Sequence, residues 1–305
     1  MALHWLEQEN TRGWFDEEFR VSPEFTRSPL QFCERNGADH ILDCAGRQIY
    51  RIALPIGEHY LSCFVYIFRN QSLNRALRHS YAFRSLKISR RLHQYGFHTY
   101  RCLAAFRPKG EFLNWNGVLV ASEIRAVFEL PSSGNHIYMV HPSTPFTSSV
   151  ARPLAVELSR FHDKGFFHGD LKTRHILVRP PGDLNGEPSF KFFFVDLEKT
   201  RHLSYLPTFA ADLLTARDLI QFFASLCDPK RGHLRSRTEG TFLDWYLEGR
   251  NLTPSRERRI RKMVSLYGPQ GRLKQGETLV EGLLSVLHTR KDSAGADSQR
   301  GWPET

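Results

Sequence analysis

Long apolar runs are missing from this chain: no stretch approaches the roughly 18 apolar residues of a membrane-spanning helix. The start, Met1-Ala2-Leu3-His4-Trp5-Leu6-Glu7, lacks a basic region followed by an apolar one, which argues against a secretory signal. Cysteine is scarce and scattered. The five cysteines, Cys33, Cys44, Cys63, Cys102 and Cys227, include no pair at zinc-ligand spacing. Reduced thiols are therefore expected, in the cytosol or on the cytosolic face of a membrane. Internal repeats and low-complexity blocks are also absent, which leaves 305 residues to form one large domain or two modest ones.

Charge is present in excess of one sign. A formal net charge of +10 favours anionic partners. Nucleic acid is not expected, because the basic residues are not interleaved with aromatics in a recognisable binding module. Anionic lipid or a phosphorylated glycolipid is the other class. The densest cluster is Arg256, Arg258, Arg259, Arg261 and Lys262, followed by Arg272 and Lys274. On a helix such a cluster reads first as a solvated face and second as a docking surface.

The most informative stretch is Phe167-His168-Gly169-Asp170-Leu171-Lys172-Thr173-Arg174-His175-Ile176-Leu177-Val178. It has the form His-x-Asp, four spacers, a metal-facing side chain and an apolar strand. About twenty residues later, Phe192-Phe193-Phe194-Val195-Asp196-Leu197-Glu198 delivers a second carboxylate from a hydrophobic strand. Phosphoryl transfer needs these parts, since positioning and charge neutralisation do nearly all the catalytic work. In this reading Asp170 orients the acceptor hydroxyl and takes its proton, and Asp196 holds magnesium. Lys172 stands where a cation can contact the transferring phosphoryl group, or is an ordinary exposed loop lysine. His175 replaces the usual Asn as the second metal ligand, a softer donor than magnesium prefers.

That His, the preceding helix and the Asp-Leu-Glu sequence resemble the bacterial lipopolysaccharide core kinases, the Kdo and heptose kinases. The resembling segment runs from Leu154 through Arg201, with weaker similarity back to about Gly46 and forward to about Asp218. The resemblance implies an α+β, bilobal, protein-kinase-like fold. It also implies phosphorylation of a core sugar of lipopolysaccharide with ATP and Mg2+, at the cytoplasmic face of the inner membrane through peripheral contact. The expected division is a strand-rich lobe over 1–129, a helical catalytic lobe over 130–290 and a disordered tail over 291–305.

Met1 to Asn36 reads as irregular, with Trp5, Trp14, Phe15, Phe19 and Phe25 able to pack onto a lobe. Strands are expected between Ile41 and Phe68, then around Leu103 to Phe106 and Gly117 to Glu123, with a helix over Leu73 to Tyr95. The turn Ala45-Gly46-Arg47 occupies the place of a phosphate-covering turn, though one glycine also suits an ordinary hairpin. The run ending at Glu123 leads into the hinge, where backbone would meet adenine, and Pro131 to Asn135 marks the lobe boundary. Pro153 is placed in the first turn of a helix whose apolar face is Leu154, Leu158 and Phe161. Thr215 to Leu226 reads as a buried helix.

Two groups of the family pattern are missing. Tyr66 falls at the position of the phosphate-contacting Lys (Phe68 if the alignment slips by two), and Ser85 stands near the slot of its Glu partner. Joint loss is coherent, since a lone buried Glu would be costly. Arg69, Arg51 and Lys87 are the candidate replacement cations, and a pseudokinase or a kinase for a protein or small molecule are the alternatives. His168 is expected to hydrogen-bond backbone near Asp196, and Asp218 to hold the catalytic-loop backbone. Glu198 supports the metal or pairs with Arg201, and His162 and Asp163 read as helix-end residues. A hydrolytic metal site fits poorly, because no His-Glu-x-x-His helix or cysteine completes a zinc set.

Overall fold

In a computed structural model of the protein, the described residues are 3–8, 11–19, 22–44, 46–56, 58–69, 80–108, 115–125, 127–130, 148–182, 189–226 and 232–267. The N-terminal half contains β1 (Leu3–Gln8), β2 (Thr11–Asp16), α1 (Pro23–Arg27), α2 (Pro29–Arg35), β3 (Asp39–Cys44), β4 (Arg47–Ile56) and β5 (His59–Arg69). It continues with α3 (Tyr81–Gln94), β6 (His98–Thr99), β7 (Cys102–Pro108), β8 (Trp115–Ser122) and β9 (Phe128–Glu129). The remainder is mainly helical: α4 (Ser148–Asp163), α5 (Thr208–Leu226), α6 (Gly232–Glu248) and α7 (Pro254–Tyr267). Between α4 and α5 lie the short strands β10 (Phe166–Phe167), β11 (Ile176–Arg179), β12 (Lys191–Phe194) and β13 (Arg201–His202).

Strand alternation builds the first lobe. Along β4, Tyr50, Ile52, Leu54 and Ile56 are buried while Arg51, Ala53 and Pro55 face out. The strands form an antiparallel sheet of seven in the order β1-β2-β7-β8-β5-β4-β3. The interior strand β5 is covered on both faces. Cys63, Val65 and Ile67 join Phe15, Phe19, Phe25 and Cys33 in one apolar cluster. On the opposite face Phe68 packs with Ala82, Leu86 and Leu92 of α3, in a cluster continuous with the helical half of the molecule.

Short strand pairings tie the two halves together. The β11–β12 pair runs antiparallel, Ile176 opposite Phe194. Its edges are extended by β6, parallel to β12, and by β9, antiparallel to β11. Both added strands come from the N-terminal half, β6 directly after α3, so the loop carrying Asp170 and the strand leading to Asp196 share one frame with α3. In α4, Leu154, Leu158 and Phe161 are all fully buried.

Several elements depart from the sequence reading. The N-terminal segment is not irregular: β1 and β2 pair and extend the sheet through β7. Phe15, Phe19 and Phe25 are buried as expected, whereas Trp5 stays 47% exposed. The helix read from Leu73 begins at Tyr81, with residues 70–79 outside the described residues. Pro153 is interior to α4, which starts more than a turn earlier than expected, at Ser148. The Pro131–Asn135 loop, Cys227, Arg272, Lys274 and the 291–305 tail lie outside the described residues.

The basic cluster on α7 is an internal clamp more than a solvated face. Arg256 and Arg259 bind the fully buried Asp212 of α5 at 2.8 and 3.1 Å. Arg261 reaches Asp244 at 2.6 Å and Glu257 at 2.9 Å. A buried carboxylate requires such partners, and the arginines supply them.

Phe25 is the test of the N-terminal segment. Its ring meets Phe32 and Phe106 edge-on, with centroids at 5.1 and 5.7 Å. Phe25→Ala should lower stability by about 3–5 kcal/mol, the usual loss for a buried aromatic, measured by urea unfolding. A loss below about 1 kcal/mol would mean that the segment does not close the sheet's outer face.

Candidate active site

One face of α5 holds the loop that carries the site. Asp218, Gln221 and Ser225 recur at helical spacing along a mainly apolar helix. The Asp218 carboxylate accepts the backbone N–H of His168 at 2.6 Å and of Gly169 at 3.0 Å. Gln221 Oε1 accepts from Leu171 N at 3.2 Å, and Ser225 Oγ from Thr173 N at 2.8 Å. Gly169 is required where it stands: its φ is +79°, and a Cβ there would lie 2.7 Å from the Lys199 carbonyl oxygen.

Behind Asp218 runs a buried chain of donors. Arg250 Nη1 donates to the Tyr246 hydroxyl at 2.8 Å, and that hydroxyl lies 2.7 Å from His162 Nδ1. His162 Nε2 is 3.4 Å from Asp218. Burial lowers the His162 pKa despite the neighbouring Asp218, so the ring is neutral. Tyr246 then donates to Nδ1, and Nε2–H points at the carboxylate. Burial alone would raise the Asp218 carboxyl, but the His162 hydrogen bond and the Arg217 charge bring it down to about 2. His162 is thus a buried link rather than a helix-end residue. Asp163 receives Arg250 Nε at 2.7 Å.

Asp170 sits between cations. Lys172 Nζ is 2.7 Å from Oδ1, and Lys199 Nζ is 3.1 Å from Oδ2. Burial works to raise its pKa, but the Lys172 hydrogen bond and the charges of Lys199 and Lys172 take it to about 2. Lys199 was not anticipated from the sequence. Its signal, a lysine directly after Asp196-Leu197-Glu198, has no special spacing to mark it.

His175 and Asp196 meet as two lone-pair donors. His175 Nδ1 lies 2.7 Å from the Asp170 carbonyl oxygen, which can only accept, so Nδ1 carries the proton. Nε2 accepts from Arg174 Nε at 3.2 Å and faces Asp196 Oδ2 at 3.3 Å. Burial, helped by His168, lowers the His175 pKa to about 4, so the ring is neutral near pH 7. Asp196 adopts left-handed backbone, φ 59° and ψ 52°, a region Asp enters more readily than most residues. A bare imidazole nitrogen facing a carboxylate oxygen suits a divalent cation. Ligand atoms of Asp170, His175 and Asp196 all lie within 4.8 Å of one another. With Lys172 and Lys199 on its oxygens, Asp170 is the least available of the three. His168 Nε2 lies 2.9 Å from the Val195 carbonyl, next to Asp196, as expected.

Arg47, not singled out from the sequence, completes the cluster. Its Nη1 reaches Asp196 Oδ1 at 2.5 Å and Glu198 Oε1 at 2.9 Å. Burial would raise the Asp196 carboxyl, but Arg47 and His175 hold it below the usual carboxylate range. Glu198, buried beside the Asp196 charge, is pushed up to about 7 despite Arg47. Glu198 therefore pairs with Arg47, where Arg201 was one of the sequence expectations.

The missing Lys–Glu pair has been replaced by hydroxyls and rings. Tyr66 lies alongside Tyr100 with ring centroids 6.3 Å apart, and Ser85 hydrogen-bonds Tyr100. Burial and the Asp196 charge both raise the Tyr66 pKa, so its hydroxyl stays protonated. The candidate cations named from sequence point elsewhere. Arg51 pairs with Asp39 at 2.7 Å, Arg69 donates to Gln48 at 2.7 Å, and Lys87 is on an exposed position of α3. Gly46, φ +94°, lies in the tight turn between β3 and β4, immediately before Arg47. Glu123, just past β8, donates its N–H to the Ser62 carbonyl and has its carboxylate 3.8 Å from Arg51.

The chain is similar in fold to protein-kinase-like structures. A solved structure described as WaaP in complex with acyl carrier protein superposes with a TM-score of 0.52 at 19% identity, over 87% of this chain and 98% of that one. The Rio2 kinase from Chaetomium thermophilum, solved as its ADP/Mg2+-phosphoaspartate complex, gives 0.45 at 16% identity, over 87% and 81%. No curated protein sequence matches significantly. Residues 59–228, more than half of the chain, match the model of the lipopolysaccharide kinase (Kdo/WaaP) family, and the chain belongs to that family. It is accordingly an ATP-dependent phosphotransferase acting on a sugar hydroxyl of lipopolysaccharide core.

Asp218→Asn offers a pH-resolved test of the loop anchor. Loss of the charged acceptor should lower stability at neutral pH by about 1.5–3 kcal/mol. The native carboxyl titrates at about 2 when folded against 3.8 unperturbed. Its contribution is therefore complete above 3.8 and disappears as pH falls towards about 2. Urea midpoints of variant and wild type should converge across that window. A separation that persists unchanged at the acid end would show that the Asp218 charge is not the source.

Proposed function

We propose that this family activity is carried out by Asp170, Lys172, His175 and Asp196 in the cleft between two lobes, divided near residue 130. The observation that carries the reading is the carboxylate of Asp170, ionised and bracketed by Lys172 and Lys199, beside the His175–Asp196 donor pair. Asp170 orients the acceptor sugar hydroxyl. A carboxylate this weakly basic takes the proton late, as the bond from oxygen to phosphorus forms and ADP leaves. Lys172 and Lys199 then lie where charge accumulates on the transferring phosphoryl oxygens.

His175 and Asp196 are the residues that would hold Mg2+, with Asp170 nearby. A bound ion would supply positive charge to offset the nucleotide phosphates. Neutral His175 is suited to this because its Nε2 is already free of a proton. Gly46 allows the β3–β4 turn to approach the phosphates, and backbone around Glu123 meets the adenine.

The acceptor belongs to a glycolipid, so we propose that the chain works at the cytoplasmic face of the inner membrane by peripheral contact. No helix among the described residues is long and apolar enough to cross a membrane. The net charge of +10 favours an anionic surface.

Asp170→Asn should leave folding and nucleotide affinity nearly intact while lowering turnover by roughly 10²–10⁴-fold. Mass measurement of purified core oligosaccharide after incubation with ATP reads the product. Full activity of the Asn variant would remove Asp170 from the mechanism. Asp196→Ala should abolish the dependence of ATP binding on Mg2+, read by titration calorimetry with and without the ion. An unchanged dependence would locate the metal elsewhere.

A further inference from the structure

A triphosphate carries several negative charges that must meet protein cations near the nucleotide, yet this chain has Tyr66 where the strand lysine belongs. The slot of the partner carboxylate is Ser85, committed to Tyr100. Among the described residues, four other basic side chains near Asp170 and Asp196 are engaged. Lys172 and Lys199 hold Asp170, Arg174 donates to His175, and Arg84 donates to the Glu198 carbonyl oxygen at 3.3 Å.

Arg47 is different in origin and direction. Ile49 pairs across β4–β5 with Tyr66, and Arg47 with Phe68. Cross-strand partners share a face, so Arg47 projects on the same side of the sheet as Tyr66, one strand over. It is the first residue after the turn containing Gly46, and its side chain is only 19% exposed. From there it spans to the other half of the molecule and lies on Asp196 Oδ1 and Glu198 Oε1.

We propose that Arg47 replaces the missing strand lysine, contacting the α- and β-phosphates of bound nucleotide and resting on Asp196 and Glu198 when nucleotide is absent. This rests on the kinase reading above. In the resting arrangement Arg47 occupies an oxygen of the same carboxylate that would ligate Mg2+. A divalent ion there repels the guanidinium, and the phosphates that accompany the ion supply new acceptors for it. A planar fork of donors suits phosphate oxygens as well as it suits carboxylates. Glu198, the second acceptor, keeps Arg47 close to the metal site without being the metal's own ligand.

The consequence is a pair of effects with opposite sign. Arg47 competes with a metal ion that arrives alone, and assists a metal ion that arrives with nucleotide. Arg47→Ala should therefore bind Mn2+ alone about tenfold more tightly, and ATP in the presence of Mg2+ about tenfold to a hundredfold more weakly. Arg47→Lys should retain most of the nucleotide affinity. Calorimetry of Mn2+ without nucleotide and of ATP with Mg2+ reads both quantities on the whole chain. Where the Ala variant does not fold, Arg47→Gln carries the same comparison, with Arg47→Lys as the variant that keeps the charge. A residue that merely braces the two halves would weaken both affinities together, and that result overturns the proposal. Wild type that binds nucleotide, with the variant binding it equally well, overturns this inference alone. Wild type that binds Mn2+ but no nucleotide overturns the kinase reading and this inference with it.

Discussion

The fully buried carboxylate of Asp218 is the constraint on which the site depends. It turns two consecutive backbone N–H groups of the catalytic loop towards α5, where without it they would be buried and unpaired. Gln221 and Ser225 extend the same arrangement down the loop. The loop is thereby held through its main chain, leaving the side chains of Asp170, Lys172 and His175 free to face the cleft. The donors running from Arg250 through Tyr246 and His162 keep Asp218 charged in an apolar interior.

Charge in the cleft is balanced by neighbours of opposite sign. Asp170 answers to Lys172 and Lys199, while Asp196 and Glu198 share Arg47. His175, neutral and proton-free at Nε2, adds a donor without adding charge. Removing the strand lysine together with its Glu leaves no stranded ion, because Tyr66, Tyr100 and Ser85 satisfy one another with packing and a hydroxyl contact. The guanidinium that reaches this region, Arg47, comes instead from a neighbouring strand.

Much of this was legible because it is local. The strands between Ile41 and Phe68 were read from their alternating pattern, and the His-x-Asp loop with the later Asp196 strand carried the family resemblance. The N-terminal segment was not legible, since β2, which carries Trp14 and Phe15 and joins β1 to the sheet, pairs with β7 about ninety residues away. The arginines of α7 looked like a solvated face because their partner, Asp212, is on a different helix. Pro153 misled because a proline usually marks a first turn, whereas α4 runs through it.

From the sequence alone came the fold class, the catalytic loop, the strand that presents Asp196 and the loss of the Lys–Glu pair. The loop and the strand are local patterns that spacing reveals, whereas the fold class and the missing pair were read from the resemblance to the family. Tertiary structure alone decided what fills the place of the lost pair and which cation reaches Asp196. Arg47 and Asp196 are 149 residues apart. Nothing in the local pattern around Arg47 separates it from Arg51, which lies on the same face of β4. The direction of each side chain follows from strand register and from how the two halves close, and both are settled by packing over the whole core rather than by any short stretch of sequence.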